Sequence, residues 1–251
     1  MSPIKCRLCG QNSSYTYEKN VLGKYNVKYY SCDHCQYFQT EKPYWLKEAY
    51  ESVINNEDTG IFRRNIFLSN FLLSWLFFNK NKNFQYLDFS GGYGILSRLM
   101  LDEGFEFYWT DQFCENLFAK NYTLSNKVIK PKLVTCFEVL EHIEYPADLI
   151  KNLFEFNNEV AIISTETFVT GYPDKSWWYL GENHGQHIGF FNNHSIEYLA
   201  KKLDLNVISH KNVHIFSKNK MTKIYLKFCF FLARTGLPKV AYRFLGRKPL
   251  E

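Results

Sequence analysis

No stretch of this 251-residue chain is apolar for long enough to cross a bilayer: the strongest run, Ile66 to Phe78, is short and is broken by Ser69, Asn70 and Ser74. Met1 to Gln11 lacks the apolar centre of a secretory leader, so the expected compartment is the cytoplasm. A concentrated basic patch is missing too. The net charge of +5 is spread along Lys-rich segments, which makes nucleic acid a disfavoured substrate. With those classes set aside, 46% hydrophobic and 22% charged residues describe a globular protein long enough for one main core and one small accessory module.

What organises the chain is YLDFSGGYGIL, Tyr86 to Leu96. An apolar run ending in Asp88 breaks into Gly91, Gly92 and Gly94 before Ile95, Leu96 and Leu99 resume at helical spacing, the pattern of strand, glycine loop and helix. Bare glycine at positions 92 and 94 lets a small molecule lie against the amides that open the helix. The third glycine of the dinucleotide fingerprint is missing, because the register runs Ser90-x-Gly92-x-Gly94-x-x-Ser97. A second strand, Phe105 to Thr110, ends in Asp111, 23 residues after Asp88, where a carboxylate can accept the hydroxyls of a ribose. Gln112 follows it, and Asp111 to Lys120 reads as a helix. A third strand is hard to find, Lys127 to Ile129 being the best candidate.

Four of the seven cysteines form two pairs, Cys6-x-x-Cys9 and Cys32-x-x-Cys35, with 22 residues between them. Two such knuckles can bring four thiolates tetrahedrally onto one Zn²⁺, and the Tyr-rich stretch between them has too few aliphatics to fold alone. Four protein ligands leave no open position, so this zinc would be structural. From Pro43 to Lys82 the pattern is helical, interrupted by the turn Asn55 to Gly60.

Asp88-x-Ser90-x-Gly92-x-Gly94 resembles motif I of the class I S-adenosylmethionine-dependent methyltransferases, with Ser90 in place of the first glycine. Lys132 to His142 (KLVTCFEVLEH) is similar to the segment after strand four of that family, and it begins its EVLEH series at Glu138, 50 residues after Asp88. The resemblance implies S-adenosylmethionine as cofactor. It assigns Asp88, Ser90, Gly92 and Gly94 to the methionine end, Asp111 to the ribose, Gln112 to the neighbourhood of the adenine and Glu138 to the methionine portion. It also implies an α/β fold, a doubly wound Rossmann-like methyltransferase sheet with a small N-terminal zinc ribbon. Glu141 and His142, as neighbours on a helix, point in different directions and read as structural.

The stretch Glu166 to Asn193 is too long for a plain connector and combines Trp177, Trp178 and Tyr179 with His184, Gln186 and His187. His187, with His184 beside it, is the candidate base for an acceptor hydroxyl or carbon acid. The two histidines alone lack a local third ligand for a metal. The ribbon, motif I and QHIGFF together resemble sugar-modifying methyltransferases such as the deoxysugar 3-C-methyltransferases, where a Glu-His pair stands in place of Gln186-His187. This implies a nucleotide-sugar or glycan acceptor and leaves O- and C-methylation both open. The expected organisation is a zinc-ribbon module over 1–40, a helical linker or lid over 41–83, a cofactor-binding domain over 84–217 containing the substrate insert 166–193, and a basic amphipathic tail over 218–251. That tail can lie against the protein itself, a partner or a membrane surface, with packing on itself or a second subunit placed first, so a homodimer is among the expected partners. Two rivals are a noncatalytic zinc-ribbon protein on a degenerate cofactor fold, and a nucleic-acid methyltransferase, against which stands the absence of an Asn/Asp-Pro-Pro-aromatic sequence.

Overall fold

The computed structural model describes residues 3–51, 59–77, 84–124, 128–169, 171–245 and 247–250. Two sheets result. The first is antiparallel and begins with β1 (Ile4–Lys5), β2 (Asn12–Val21), β3 (Tyr25–Ser31) and β4 (Phe38–Thr40), paired in that order. Its fifth strand comes from far along the chain: β9 (Gly189–Phe190) pairs with β4 through Phe38 opposite Phe190 and Gln39 opposite Gly189. A side chain at Gly189 would overlap the Tyr37 hydroxyl, so only glycine lets β9 lie this close.

Between the sheets the chain forms α1 (Leu46–Ala49) and α2 (Ile61–Phe77). The expected turn at Asn55 lies outside the described residues up to position 58. The second sheet has the order β10 (Asn206–His210), β11 (Val213–Ser217), β8 (Val160–Ser164), β7 (Pro131–Phe137), β5 (Gln85–Phe89) and β6 (Glu106–Thr110). The four strands β6, β5, β7 and β8 run parallel, and β11 and β10 close the sheet as an antiparallel pair. Parallel strands need crossovers, which are α3 (Ile95–Asp102) and α4 (Pro146–Phe154), while α5 (Asn193–Lys202) leads into β10.

Both faces of this sheet are buried, and the strand period of two decides what faces where. Tyr86, Phe107, Leu133, Ile162 and Ile215 meet α2, α3, α6 (Lys223–Thr235) and α7 (Leu237–Phe244). Leu87, Tyr108, Val134, Ile163 and Phe216 face α4, α5 and the four clustered cysteines. The tail therefore folds back on its own domain: Tyr225 donates its hydroxyl to the Trp75 carbonyl at 2.6 Å, and Phe230 packs on Phe67 and Phe71.

Two expectations need correction. Asp111 to Ala119 is not helical, and only a single 3₁₀ turn, Lys120–Tyr122, follows; Asp111 Oδ1 accepts the amides of Phe113 and Cys114, and Asn116 Oδ1 accepts that of Ala119. Short polar side chains that bind nearby amides compete with the helix and win here. The third strand is reduced, among the described residues, to one parallel bridge from Trp109 to Thr123; Lys127 lies outside them.

Candidate functional site

The loop after β5 turns on backbone angles that only small or special residues tolerate. Ser90, Gly92 and Gly94 all have positive φ, at 56°, 57° and 84°. Ser90, in the place of a glycine, takes up the glycine conformation. The loop is pinned from β6: Trp109 Nε1 donates to the Gly92 carbonyl at 2.9 Å, and the Gly92 amide donates to Asp111 Oδ2 at 2.9 Å. Gly94 stands apart from the cavity lining, and a Cβ there would sit 2.5 Å from Asn116 Oδ1. These positions call for opposite outcomes. A left-handed non-glycine residue costs about 1–2 kcal/mol, so Ser90→Gly should be neutral or stabilising by up to about 1 kcal/mol after the entropy of the freer unfolded chain is counted. Gly94→Ala should lose about 2–3 kcal/mol, from its backbone angle and the displaced Asn116. Urea denaturation of the two variants checks both.

Asp88 is buried beneath this loop and accepts the Thr135 hydroxyl at 2.8 Å. Burial is the main reason its carboxyl rises to about 7. A carboxyl raised on folding stabilises the fold while protonated, and that contribution disappears as pH climbs from near 4 to about 7. Asp88→Asn should therefore gain on the parent chain by about 4 kcal/mol across that window and show no further trend above it. Denaturation midpoints from pH 4 to 8 test this.

Asp111 is at the tip of β6 and on the cavity wall. Three amides already use its carboxylate, those of Gly92, Phe113 and Cys114, leaving one of about four acceptor positions open. One further hydroxyl can be taken as the loop stands; a second requires the Gly92 amide to yield. Gln112, Ser90, Gly92 and Glu138 also line the cavity. Glu138 has φ 55°, its amide donates to Ser164 Oγ at 3.1 Å, and its carboxylate accepts the Ser164 hydroxyl at 2.5 Å.

The cavity, about 1170 Å³, continues from this crevice to the insert, where His184 and His187 form its far wall. That exceeds the roughly 300–1,000 Å³ of a typical single-ligand pocket, so the cavity has the volume for two small molecules side by side. Gln186 is not part of an acid–base pair. Its side chain donates to the Ala49 carbonyl at 2.8 Å and ties the insert to α1, as Trp45 does through the Gly185 carbonyl at 2.8 Å.

The sequence reading gives Glu141 and His142 a structural role, names Tyr179 only as an aromatic of the insert and gives Tyr50 no place at the site, yet all four line the cavity. EVLEH ends in a short 3₁₀ turn, Leu140–His142, rather than a helix, so Glu141 and His142 both reach the cavity. The signal was their place just past the carboxyl end of a parallel strand, where ligands bind in such sheets. Glu141 is fully buried and accepts the Tyr179 hydroxyl at 2.7 Å, while its other oxygen has no hydrogen-bond partner. Burial, with Glu138 adding repulsion, pushes its carboxyl up to about 8. His142 Nδ1 is 3.1 Å from the Tyr50 hydroxyl, and burial, then His184, lowers its imidazole to about 4. His187 Nδ1 donates to the Tyr179 carbonyl at 2.6 Å, which leaves Nε2 as the basic nitrogen. Burial, then His142 and His184, hold its imidazole well below the ordinary histidine value. One ligand-bearing atom from each of Glu141, His142 and His187 lies within 4.8 Å of the others.

At the other end of the insert, the four Sγ atoms of Cys6, Cys9, Cys32 and Cys35 lie within 4.8 Å of one another. Cys6–Cys35 and Cys9–Cys32 are each 3.5 Å apart, far beyond a disulfide and near the roughly 3.8 Å edge of a Zn–S₄ tetrahedron. Each knuckle closes in the same way. The amides of Gly10 and Gln36 donate to the carbonyls of Cys6 and Cys32, and Gly10 and Gln36 have positive φ, 82° and 56°. The site is closed, packed against Ile196, Leu199 and Ala200 of α5.

Residues 62–210 match the family model described as a methyltransferase domain. No curated protein matches the chain. Solved structures similar to it include magnesium protoporphyrin IX methyltransferase from Synechocystis PCC 6803, at 13% identity over 69% of this chain and 94% of that one, TM-score 0.44. A possible histamine N-methyltransferase from Thermotoga maritima is 10% identical over 68% of this chain and 99% of that one, TM-score 0.46. An O-methyltransferase family protein from Burkholderia thailandensis is 12% identical over 61% and 56%, TM-score 0.46. The family match spans the glycine loop, Asp111 and the histidine wall alike: the chain belongs to the methyltransferase-domain family and is an S-adenosylmethionine-dependent methyltransferase.

Proposed function

We propose that the protein methylates a hydroxyl of a sugar, nucleotide sugar or glycan, with His187 as the base and the four cysteines holding a structural Zn²⁺. The observation that carries this reading is the continuity of one cavity from the loop at Ser90–Gly92 and Asp111 to the imidazole of His187. S-adenosylmethionine supplies an electrophilic methyl group on a sulfonium. Ser90, Gly92 and Glu138 bound its amino-acid end, Asp111 takes a ribose hydroxyl, and Gln112 stands beside the adenine. Gly94 acts indirectly, by shaping the turn, while Asp88, buried beneath the loop, also lines the cavity floor.

Trp178, on the rim and 72% exposed, offers a face for a sugar ring, while Arg64, Asn65 and Asn183 offer polar groups for hydroxyls or a phosphate. His187 Nε2 removes the hydroxyl proton as the oxygen bonds to the methyl carbon; the carbon–sulfur bond breaks and its electron pair goes to sulfur. A sugar hydroxyl is a weak nucleophile, so proton removal contributes about 10²–10⁴-fold. Tyr179 fixes both partners, binding Glu141 through its hydroxyl and His187 through its carbonyl.

Incubation with methyl-labelled donor and a panel of nucleotide sugars and glycans tests the reading. Label on a sugar oxygen supports it; label only in RNA or DNA overturns it. A divalent cation held by Glu141, His142 and His187 is the second reading, favoured by their 4.8 Å spacing. Turnover that rises when Mn²⁺ or Mg²⁺ is added to dialysed enzyme would favour it.

A further inference from the structure

The two C-terminal helices carry a surface that the methyl-transfer chemistry does not use. Between positions 218 and 250 the sequence has nine Lys and Arg residues and no Asp or Glu. The same segment exposes large apolar side chains. On α6, Ile224 is 81% exposed and Phe231 65%; seven residues apart, they are about 20° from each other around the helix. Exposed Lys227 and Arg234 each follow one of them by three positions, about 60° round the helix, so a cationic edge runs along the apolar stripe. On α7, Leu237 and Phe244 are likewise seven residues apart and 57% and 88% exposed, with the exposed Arg243 preceding Phe244.

We propose that this face docks on the surface of an anionic phospholipid bilayer. Apolar stripes edged by cations suit the boundary between headgroups and acyl chains, where both kinds of group find partners. A second copy of the chain is a poorer occupant, because a two-fold contact would set this cationic face against itself. Nucleic acid would meet the cations but leave Ile224, Phe231 and Phe244 in water. No helix among the described residues is long and apolar enough to cross a membrane, so the contact is interfacial.

The helices also orient the site. α6 runs antiparallel to α2, with Tyr225 against Trp75 and Phe230 against Phe67. The Phe231 end of the stripe therefore lies toward the end of α2 whose Ile61, Arg64 and Asn65 line the cavity and whose Phe62 and Ile66 are themselves exposed. This inference does not depend on the acceptor assigned above.

The test is co-sedimentation of the full chain with vesicles of phosphatidylcholine alone and of phosphatidylcholine mixed equally with phosphatidylglycerol. Binding should favour the anionic vesicles at least tenfold and weaken with salt. Phe231→Ser with Phe244→Ser should lose at least tenfold in that binding, and so should Lys227→Glu with Arg234→Glu, both keeping the parent's affinity for S-adenosylmethionine. Failure to sediment, equal binding to both vesicle types, or undiminished binding by both double variants would overturn the proposal. So would a dimer, seen by light scattering, that the phenylalanine variant abolishes.

Discussion

His187→Ala should lower kcat by about 10²–10⁴-fold and leave the affinity for S-adenosylmethionine unchanged. The expected size follows from the work assigned to Nε2, which must take a proton from a hydroxyl that water at neutral pH barely ionises. The split between kcat and cofactor affinity follows from position: His187 is on the insert wall, whereas the glycine loop proposed to bind the cofactor is held by Trp109 and Asp111. The pH dependence provides a second reading of the same prediction. Burial and two neighbouring imidazoles keep His187 neutral, with its protonation well below the ordinary histidine range. Turnover should therefore show no fall near pH 6.5 on the acid side. Glu141, raised to about 8, gains its negative charge only on the alkaline side, 3.9 Å from His142 Nε2, and there strengthens the imidazole cluster as a base. A rise in turnover through about pH 8 that disappears in Glu141→Gln is the expected profile. Unchanged turnover in His187→Ala would remove this residue from the chemistry.

Cys35→Ser should abolish zinc binding and cost about 10 °C or more in Tm, and it should inactivate the enzyme as well. Cys35 is fully buried, with Tyr37 and Phe38 following it into β4. That strand carries β9, and β9 begins two residues after His187. The Ile188 carbonyl accepts the Thr40 amide at 3.0 Å, and the Ile188 amide donates to the Glu141 carbonyl at 2.9 Å. On the proposed reading, losing the knuckle frees the backbone next to His187, although the four cysteines lie away from that imidazole. Metal analysis should find one zinc per parent chain and none in the variant. A variant that keeps both its Tm and its turnover would show the four thiols to be free and the ribbon self-sufficient.

Some of this was readable from residues, and the reasons divide cleanly. The turn from β5 into α3 announced itself because glycines and an acid at fixed spacing serve one local geometry. The two cysteine pairs did the same, since each knuckle closes within five residues, and the four Sγ atoms do lie together. Asp111 was legible for its place at a strand end. Its three amide bonds were not, because they depend on how the following chain turns, and that chain was misread as helix. Glu141 and His142 were set aside on helical geometry, whereas a 3₁₀ turn sends both into the cavity. Strand β9 has only two residues and pairs across a separation of some 150 positions, so no periodicity could reveal it. The docking of the tail on α2 was likewise a matter of which apolar faces meet, a question that an amphipathic pattern poses without answering.

The measurement that bears most directly on the whole account is a crystal structure of the protein grown with S-adenosylhomocysteine. The account predicts a ribose hydroxyl within hydrogen-bonding distance of Asp111, the homocysteine end against Ser90–Gly92 and Glu138, and the sulfur turned toward the His187 side of the cavity. Density elsewhere on the molecule, or a nucleoside lying in the crevice with its ribose away from Asp111, would contradict it.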